Sequence, residues 1–393
     1  NGRLAKIQYL HRFKNQPETN SGFIMTIGIL KEPAHETRVS LLAEAVATLT
    51  KKSIIVFVEP GAGELAFCSN ADYEKAGAQM KDRNEILNSA DIVLGIHPFS
   101  QDEVAKLSGK ILIGVYQPLF QMEMMKQWAV AGVTCFSLDM LPRTTRAQAM
   151  DVLSSQANIA GYKAVLTAAN AYGRYFPMFM TAAGSIAPAK VLILGAGVAG
   201  LQAIATARRL GAVVEVFDTR PAVKEEVQSL GAKFIEVDGA ADASKAGGYA
   251  VEQTEAYKEK QQQRIAESVA KADIVITTAQ IPGKKAPILI TEEMLQTMRN
   301  GSVIIDLAAA TGGNTPFTKN NETVSKFGVS IMGNSSLQST MPSDASKLYG
   351  KNVLNFLQLI LTKEGAIHLN WDDDLVKGAC ITHERNIVHE RLK

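Results

Sequence analysis

Lys190-Val-Leu-Ile-Leu-Gly195-Ala-Gly197-Val-Ala-Gly200-Leu-Gln-Ala-Ile-Ala205 is the stretch whose reading decides the fold. A short apolar run ends at Gly195, and small and apolar residues at helical spacing follow Gly200. Three glycines in a G-x-G-x-x-G pattern stand between the two periodicities. The stretch therefore predicts a buried strand, a glycine turn and the first turns of a helix. Gly195 permits a sharp turn, Gly197 keeps a side chain away from an approaching pyrophosphate, and Gly200 lets helix and strand pack closely. The helix start, with Val198 and Ala199, then points backbone N–H groups and the positive end of the helix dipole at the phosphates.

Alone, the pattern is weak, and a tight strand–helix turn without a ligand would use the same glycines. Its surroundings agree with the nucleotide reading. After the helical stretch Leu201–Leu210 comes a second apolar run, Val213-Val-Glu-Val-Phe-Asp218. Asp218 closes it about 20 residues after the glycines, where an acid accepts both hydroxyls of an adenosine ribose. A carboxylate there repels a 2′-phosphate, which favours NAD(H) over NADP(H). Arg220, beyond Thr219, pulls the other way, because an arginine near the ribose can pair with a 2′-phosphate.

The flanking sequence alternates in the same rhythm. Strands are expected at Ile27–Leu30, Ile54–Glu59, Asp91–Ile96, Ile111–Tyr116 and Val133–Leu138, with helices at Val39–Thr50, Ala71–Ala76, Gln101–Leu107 and Met122–Ala131. Beyond the fingerprint, strands are expected at Val191–Leu194, Val213–Phe217, Lys233–Val237, Asp273–Thr278, Val303–Leu307 and Val329–Met332. Alternation at this spacing means βαβ units and mostly parallel sheets. Long helical patterns run from about Arg146 to Tyr175 and from Ser343 to Leu361. The expected architecture is α/β: two Rossmann-like, doubly wound parallel-sheet domains joined by two long helices, with a cleft between them. Residues 25–145 plus 340–393 form a first, discontinuous domain, and 146–339 form the nucleotide-binding domain. Residues 1–24 are polar and basic and read as an upstream extension or expression remnant. A transit peptide is the other option, with Glu18 and the short length against it.

Composition narrows the class. The 393 residues suit two domains, and 46% hydrophobic against 20% charged residues describes a globular chain. A net charge of +2 gives no reason to expect a nucleic-acid partner. Cys68, Cys135 and Cys380 lie far apart and form neither a disulfide framework nor a metal spacing. No apolar run approaches the roughly 18 residues of a membrane span, which still leaves docking on a membrane protein open.

Four further stretches can carry chemistry. The densest polar cluster, Pro142-Arg143-Thr-Thr-Arg146-Ala-Gln148-Ala-Met-Asp151-Val-Leu-Ser154, lies where the long helical pattern begins. Asp151 and Ser154, three apart, would share a helix face. Arg143 and Asp151 together offer the donor and acceptor that a nicotinamide carboxamide needs; helix capping with a surface ion pair explains the same residues more plainly. Thr277-Thr278-Ala279-Gln280-Ile281-Pro282-Gly283 and Asp306-Leu307-Ala-Ala-Ala310-Thr311-Gly312-Gly313-Asn314 fall at C-terminal strand ends, where ligands bind in such sheets. The segment of about 238–254, with Gly247-Gly-Tyr249, is too long for a simple connection; it is either a glycine-hinged lid or a solvated insertion. The six histidines are scattered, and none pairs in sequence with a carboxylate at catalytic spacing.

Taken together, the 142–162 segment, the fingerprint with Phe-Asp218-Thr-Arg-Pro, the Gly-Gly-Tyr249 segment, Ile281-Pro-Gly and Ile305-Asp-Leu-Ala…Gly-Gly-Asn314 resemble the NAD(H)-binding component of proton-translocating transhydrogenases, from about Met25 onward. The resemblance implies that Arg143, Gln148, Asp151 and Ser154 surround the nicotinamide, with Gln148 also reaching toward NADP(H) held by a partner. It implies that Asp218 holds the adenosine ribose and that Tyr249 tips a closing loop. Gly195, Gly197, Val198, Ala199, Gly200, Thr219, Arg220, Thr278, Ala279, Gln280, Pro282 and Leu307 complete the expected cofactor-binding set, and no metal is expected. Implied partners are a second copy of the chain, an NADP(H)-binding beta-subunit component and a transmembrane proton channel. The implied location is peripheral, on the cytoplasmic (matrix-like) side of the inner or cytoplasmic membrane.

Alanine dehydrogenases share the two-domain fold and are the main competitor. Of their four catalytic positions, the arginine falls at Arg38, the lysine at His97, the histidine at Gln117 and the aspartate at Ala310. Gln117 and Ala310 cannot exchange protons near neutral pH, so turnover of alanine is not expected. A nucleotide-binding regulatory module without hydride chemistry is the third reading.

Overall fold

A computed structural model describes residues 25–237, 239 and 254–393. Tyr249 and the expected lid around 238–254, Gly239 and Thr254 excepted, lie outside the described residues, as does the 1–24 leader. The chain divides into two compact units. One comprises the residues up to Val152 together with Pro342–Lys393, the other Leu153–Met341.

The first unit is built on parallel strands β1 (Thr26–Ile29), β2 (Ile55–Val58), β3 (Gln79–Met80), β4 (Ile92–Leu94), β5 (Ile111–Gly114) and β6 (Thr134–Ser137), in the order β6-β5-β4-β1-β2-β3. β4, β5 and β6 are buried along their whole length, as expected of strands covered by helices on both faces. Alternate residues feed two cores: Ile27 and Ile29 pack with Val46 and Phe356, while Val93 and Leu112 pack with Ile86 and Trp128. A Cβ on Gly28 would lie 2.3 Å from Ile86 Cγ2, so glycine in β1 sets how closely the helix Arg83–Ser89 approaches. That helix, β3 and the C-terminal strand Cys380–His383 are additions to the expected set. Cys380–His383 pairs antiparallel with β6 across a register shift, so this sheet is parallel only up to β6.

The second unit opens one residue into the helix Val152–Ala171, which is followed by a two-stranded ribbon, β7 (Phe179–Thr181) and β8 (Gly184–Ile186). Its main sheet contains β9 (Lys190–Leu194), β10 (Val213–Phe217), β11 (Lys233–Phe234), β12 (Ile274–Thr277), β13 (Val303–Asp306), β14 (Glu322–Lys326) and β15 (Val329–Gly333). The order is β11-β10-β9-β12-β13-β15-β14, with all neighbours parallel except the β15–β14 pair. From β9 outward this is a doubly wound sheet that reverses direction at the strand carrying the glycines. Val191 and Ile193 enter one core and Leu192 and Leu194 the other, so each buried aliphatic contributes about 1.5–3 kcal/mol on its own side of the sheet.

The helical pattern from Arg146 does not form one helix. Thr145–Met150 is a 3-10 turn, Asp151 leaves helical geometry with ψ at 89°, and the α-helix begins only at Val152. Asn352 Nδ2 and Asn355 Nδ2 donate to the Ala149 carbonyl at 2.9 and 2.8 Å. That carbonyl is thereby held by side chains rather than by a residue one helical turn on. Asp151 and Ser154 consequently do not share a helix face: Asp151 precedes the helix that contains Ser154.

Candidate functional site

The fingerprint forms the expected strand, turn and helix. Gly195 has φ of +108°, a conformation that a side chain disfavours, and a Cβ there would lie 2.3 Å from Thr278 Oγ1. A Cβ on Gly200 would lie 1.9 Å from the Gly195 carbonyl oxygen, so helix Val198–Arg209 and β9 approach at backbone distance. Gly197 differs from both. Its φ of −76° suits any residue, and among the described residues a Cβ there would meet nothing within 4 Å. Gly197 is also the N-cap, and among the described residues no side chain caps this helix. A helix start with uncapped N–H groups beneath open space fits a phosphate.

Asp218 follows the end of β10, with its side chain only 6% exposed. It accepts from the Ala196 N–H at 2.7 Å, tying the second strand end to the glycine turn. It also accepts from the Arg220 N–H at 2.8 Å and pairs with the Arg220 guanidinium. The hydrogen bonds and charge of Asp218 raise the pKa of that guanidinium further. Tyr257, on the helix Glu255–Val269, faces the same carboxylate; burial, then the charge of Asp218, pushes its phenol up.

The two loops after β12 and β13 are sewn together. Asn314 is fully buried; its Nδ2 donates to the Ala279 and Pro287 carbonyls, and its Oδ1 accepts from the Ala279 N–H. Asp306, also fully buried, accepts from the N–H groups of Ala308 and Asn314 and from Thr318 Oγ1. Gln280 Nε2 donates to the Leu307 carbonyl at 3.0 Å. Thr278, Ala279, Gln280 and Leu307 therefore belong to one cross-braced edge, with Pro282 on its exposed rim. Sequence reading found these stretches but not the brace, since Asp306, Asn314 and Thr318 look like ordinary turn residues. It also missed Gly161, on helix Val152–Ala171, whose Cβ would lie 2.1 Å from the Ala199 carbonyl oxygen behind the nucleotide turn.

Of the polar cluster, Arg143, Gln148 and Asp151 lie in the first unit and Ser154 in the second. Arg143 and Gln148 are exposed, while Asp151 is half-buried. Arg146, between them, bridges to Asp373 at 2.5 Å and Asp374 at 3.1 Å. With the Asn352 and Asn355 contacts, this holds the 145–151 turn in a fixed course while leaving the Gln148 side chain outward.

Arg38, the position shared with the alanine dehydrogenases, is also tied down. Its Nε and Nη2 meet the two Glu36 carboxylate oxygens at 2.9 and 2.6 Å. His97 Nε2 lies 2.8 Å from the same carboxylate. This His–carboxylate pair spans 61 residues, so no sequence spacing announces it, and Glu36 serves Arg38 at the same time. Burial pushes the Glu36 carboxyl up, but Arg38 and His97 outweigh it and hold the group well below the usual carboxylate range. Glu32 accepts from the Ile96 and His97 N–H groups, and burial pushes it up to about 7. Gln117, at φ of +49°, and Ala310, in a 3-10 turn, present a carboxamide and a methyl, so neither position carries an acid or base.

A doubly wound sheet, a glycine turn at its reversal and an acid after the second strand place the protein in the Rossmann-type α/β class. The chain belongs to the alanine dehydrogenase/PNT family. It matches "Alanine dehydrogenase/PNT, N-terminal domain" over residues 28–160 and "Alanine dehydrogenase/PNT, C-terminal domain" over residues 164–390. It is 44% identical over 379 residues to the Rhodospirillum rubrum protein named as the first part of NAD(P) transhydrogenase subunit alpha, covering 94% of this chain and 99% of that one. A transhydrogenase crystal structure from Sinorhizobium meliloti superposes with a TM-score of 0.84 at 44% identity, covering 92% of this chain and all of that one. An L-alanine dehydrogenase structure superposes with a TM-score of 0.77 at 25% identity, over 94% and 98% of the two chains. Among the described residues, no helix is long and apolar enough to cross a membrane.

Proposed function

We propose that this protein is the NAD(H)-binding component of a proton-translocating transhydrogenase. The observation that carries the reading is the space that the described residues leave open over Gly197, at a helix start that none of their side chains caps. The turn Gly195–Gly200 holds the pyrophosphate of NAD(H), and Asp218 the adenosine ribose. Backbone groups of Thr278, Ala279, Gln280, Pro282 and Leu307 support the nicotinamide ribose. Arg143, Asp151 and Ser154 orient the nicotinamide carboxamide, and the outward Gln148 reaches toward NADP(H) on the partner component.

NADH supplies a hydride that passes directly between nicotinamide C4 atoms, so no proton moves at the reacting carbons. The chain's tasks are to bind, orient and exclude water. This agrees with Gln117 and Ala310 standing where an acid–base pair would be needed, and with Arg38 being committed to Glu36.

The protein works as a homodimer beside an NADP(H)-binding component and a membrane proton channel, peripherally on the cytoplasmic (matrix-like) side. Support for self-association comes from the β7–β8 ribbon. A two-stranded ribbon is marginal alone in water, yet this one exposes Met178 (64%) and Met180 (73%) beside the stacked Tyr175 and Phe179 rings. The decisive experiment is NADH titration followed by addition of an NADP(H)-binding transhydrogenase component. NADH-dependent reduction of NADP⁺ that appears only with both components is the expected result. Alanine-dependent NADH production by the isolated chain overturns the reading.

A further inference from the structure

Asp218 carries more donors than a ribose site can share. Oδ1 accepts from the Arg220 N–H at 2.8 Å and from Arg220 Nε at 2.9 Å. Oδ2 accepts from the Ala196 N–H at 2.7 Å and from Arg220 Nη2 at 2.8 Å. A carboxylate offers about four lone-pair directions, so all are in use. A ribose that presents two hydroxyls needs two of them.

The four donors are not equally movable. The Ala196 N–H sits inside the glycine turn, and the Arg220 N–H closes a local turn onto Asp218. Both are fixed by backbone. The other two belong to a single guanidinium on a flexible stem, whose charge also feels Glu226, a second carboxylate beyond the first. With the Arg220 and Asp218 side chains 18% and 6% exposed, water is a poor substitute partner for Asp218, so exchange with another donor is favoured over simple opening.

We infer that the Arg220 guanidinium is an internal competitor of the adenosine ribose, occupying the acceptor directions of Asp218 that the ribose diol takes, so that NAD(H) binding exchanges one for the other. The inference deepens the proposed role of Asp218 and rests on it. It makes Arg220 a residue that sets affinity from the protein's side: the ion pair keeps a buried carboxylate satisfied between binding events and is given up on each one. The two backbone N–H bonds persist through the exchange and keep the carboxylate aimed.

The test is NADH titration by nucleotide fluorescence on the full chain, comparing wild type with Arg220→Ala, Arg220→Lys and Asp218→Ala. Removing the competitor is expected to tighten NADH by about 1.5- to fivefold, the range of a partly exposed ion pair. Arg220→Lys, with a single ammonium in place of the two-pronged fork, is expected to fall between wild type and Arg220→Ala. It serves as the deciding variant if Arg220→Ala does not fold. Unchanged or weaker NADH binding in the folded Arg220 variants overturns the exchange, because the guanidinium would then support the nucleotide or ignore it. Asp218→Ala separates this from the parent reading: unaltered NADH affinity there overturns the ribose contact itself. Weakened affinity there, with no tightening at Arg220, overturns the exchange alone.

Discussion

Gly197→Ala separates a glycine kept for a ligand from glycines kept for the fold. Gly197 has ordinary backbone geometry, and among the described residues a methyl there meets nothing within 4 Å. The only expected stability cost is that of alanine at an N-cap, at most about 1 kcal/mol. For a unit of this size that is a Tm change of roughly 2–4 °C. If the space above Gly197 receives a pyrophosphate, the same methyl crowds it. Overpacking of about 1–3 kcal/mol then weakens NADH by roughly 5- to 150-fold. Gly200→Ala is the contrasting control. Its methyl would sit 1.9 Å from the Gly195 carbonyl oxygen, a backbone atom that cannot step aside, so the strand–helix junction must open. A loss of about 3 kcal/mol or more is expected before any nucleotide is added. Thermal melts and NADH fluorescence titrations on the two variants decide the matter. Wild-type NADH affinity in Gly197→Ala, or a Tm loss in it as large as that of Gly200→Ala, refutes the reasoning.

Other consequences are as direct. Gln148→Asn keeps the amide but shortens its reach, so transfer to a partner-bound NADP⁺ should slow far more than NADH binding weakens; equal losses in stopped-flow and titration would count against a bridging role. Asn314→Ala removes three hydrogen bonds from a fully buried side chain and leaves their partners unpaired, so urea unfolding should show a loss of about 3 kcal/mol; a change under about 1 kcal/mol would mean the loops are held otherwise. Glu32, pushed up to about 7 by burial, binds its proton more tightly folded than unfolded. Its contribution is therefore fully present below its unfolded pKa and is lost as pH rises through about 7. Relative to Glu32→Gln, the wild type should lose stability between about pH 5 and 8, and parallel pH profiles of Tm in the two proteins would exclude this.

What could be read from the sequence was local. The glycines, the apolar run before them and Asp218 lie within one βαβ unit, so their spacing alone assigned the doubly wound sheet and its ligand turn. Strand interiors such as Ile111–Gly114 announced themselves as short apolar runs because both faces are covered. Long-range partners left no such trace. The helix break at Asp151 depends on Asn352 and Asn355, which capture the Ala149 carbonyl from 203 and 206 residues away. Gly161 shows no reason for glycine in its own neighbourhood; the reason is the Ala199 carbonyl oxygen, in another element, that a Cβ there would meet at 2.1 Å. The Arg220–Asp218 pair was visible as two neighbouring letters, but which oxygens it fills required coordinates. His97 and Glu36 are 61 residues apart, and only the alignment of β1 with β4 brings them together.

The strand Cys380–His383 closes the free edge of β6, and Thr382 Oγ1 reaches the Val133 carbonyl across 249 residues of chain. During synthesis the whole second unit emerges while β6 still presents unpaired peptide groups to solvent or to a neighbouring nascent chain. The inserted unit draws its strands from one continuous stretch of chain; its host does not. Slow release of the C-terminal segment, or its removal by a protease, therefore puts the first sheet at risk of pairing with the wrong strand, a hazard set by the order of threading and not by how tightly either core is packed.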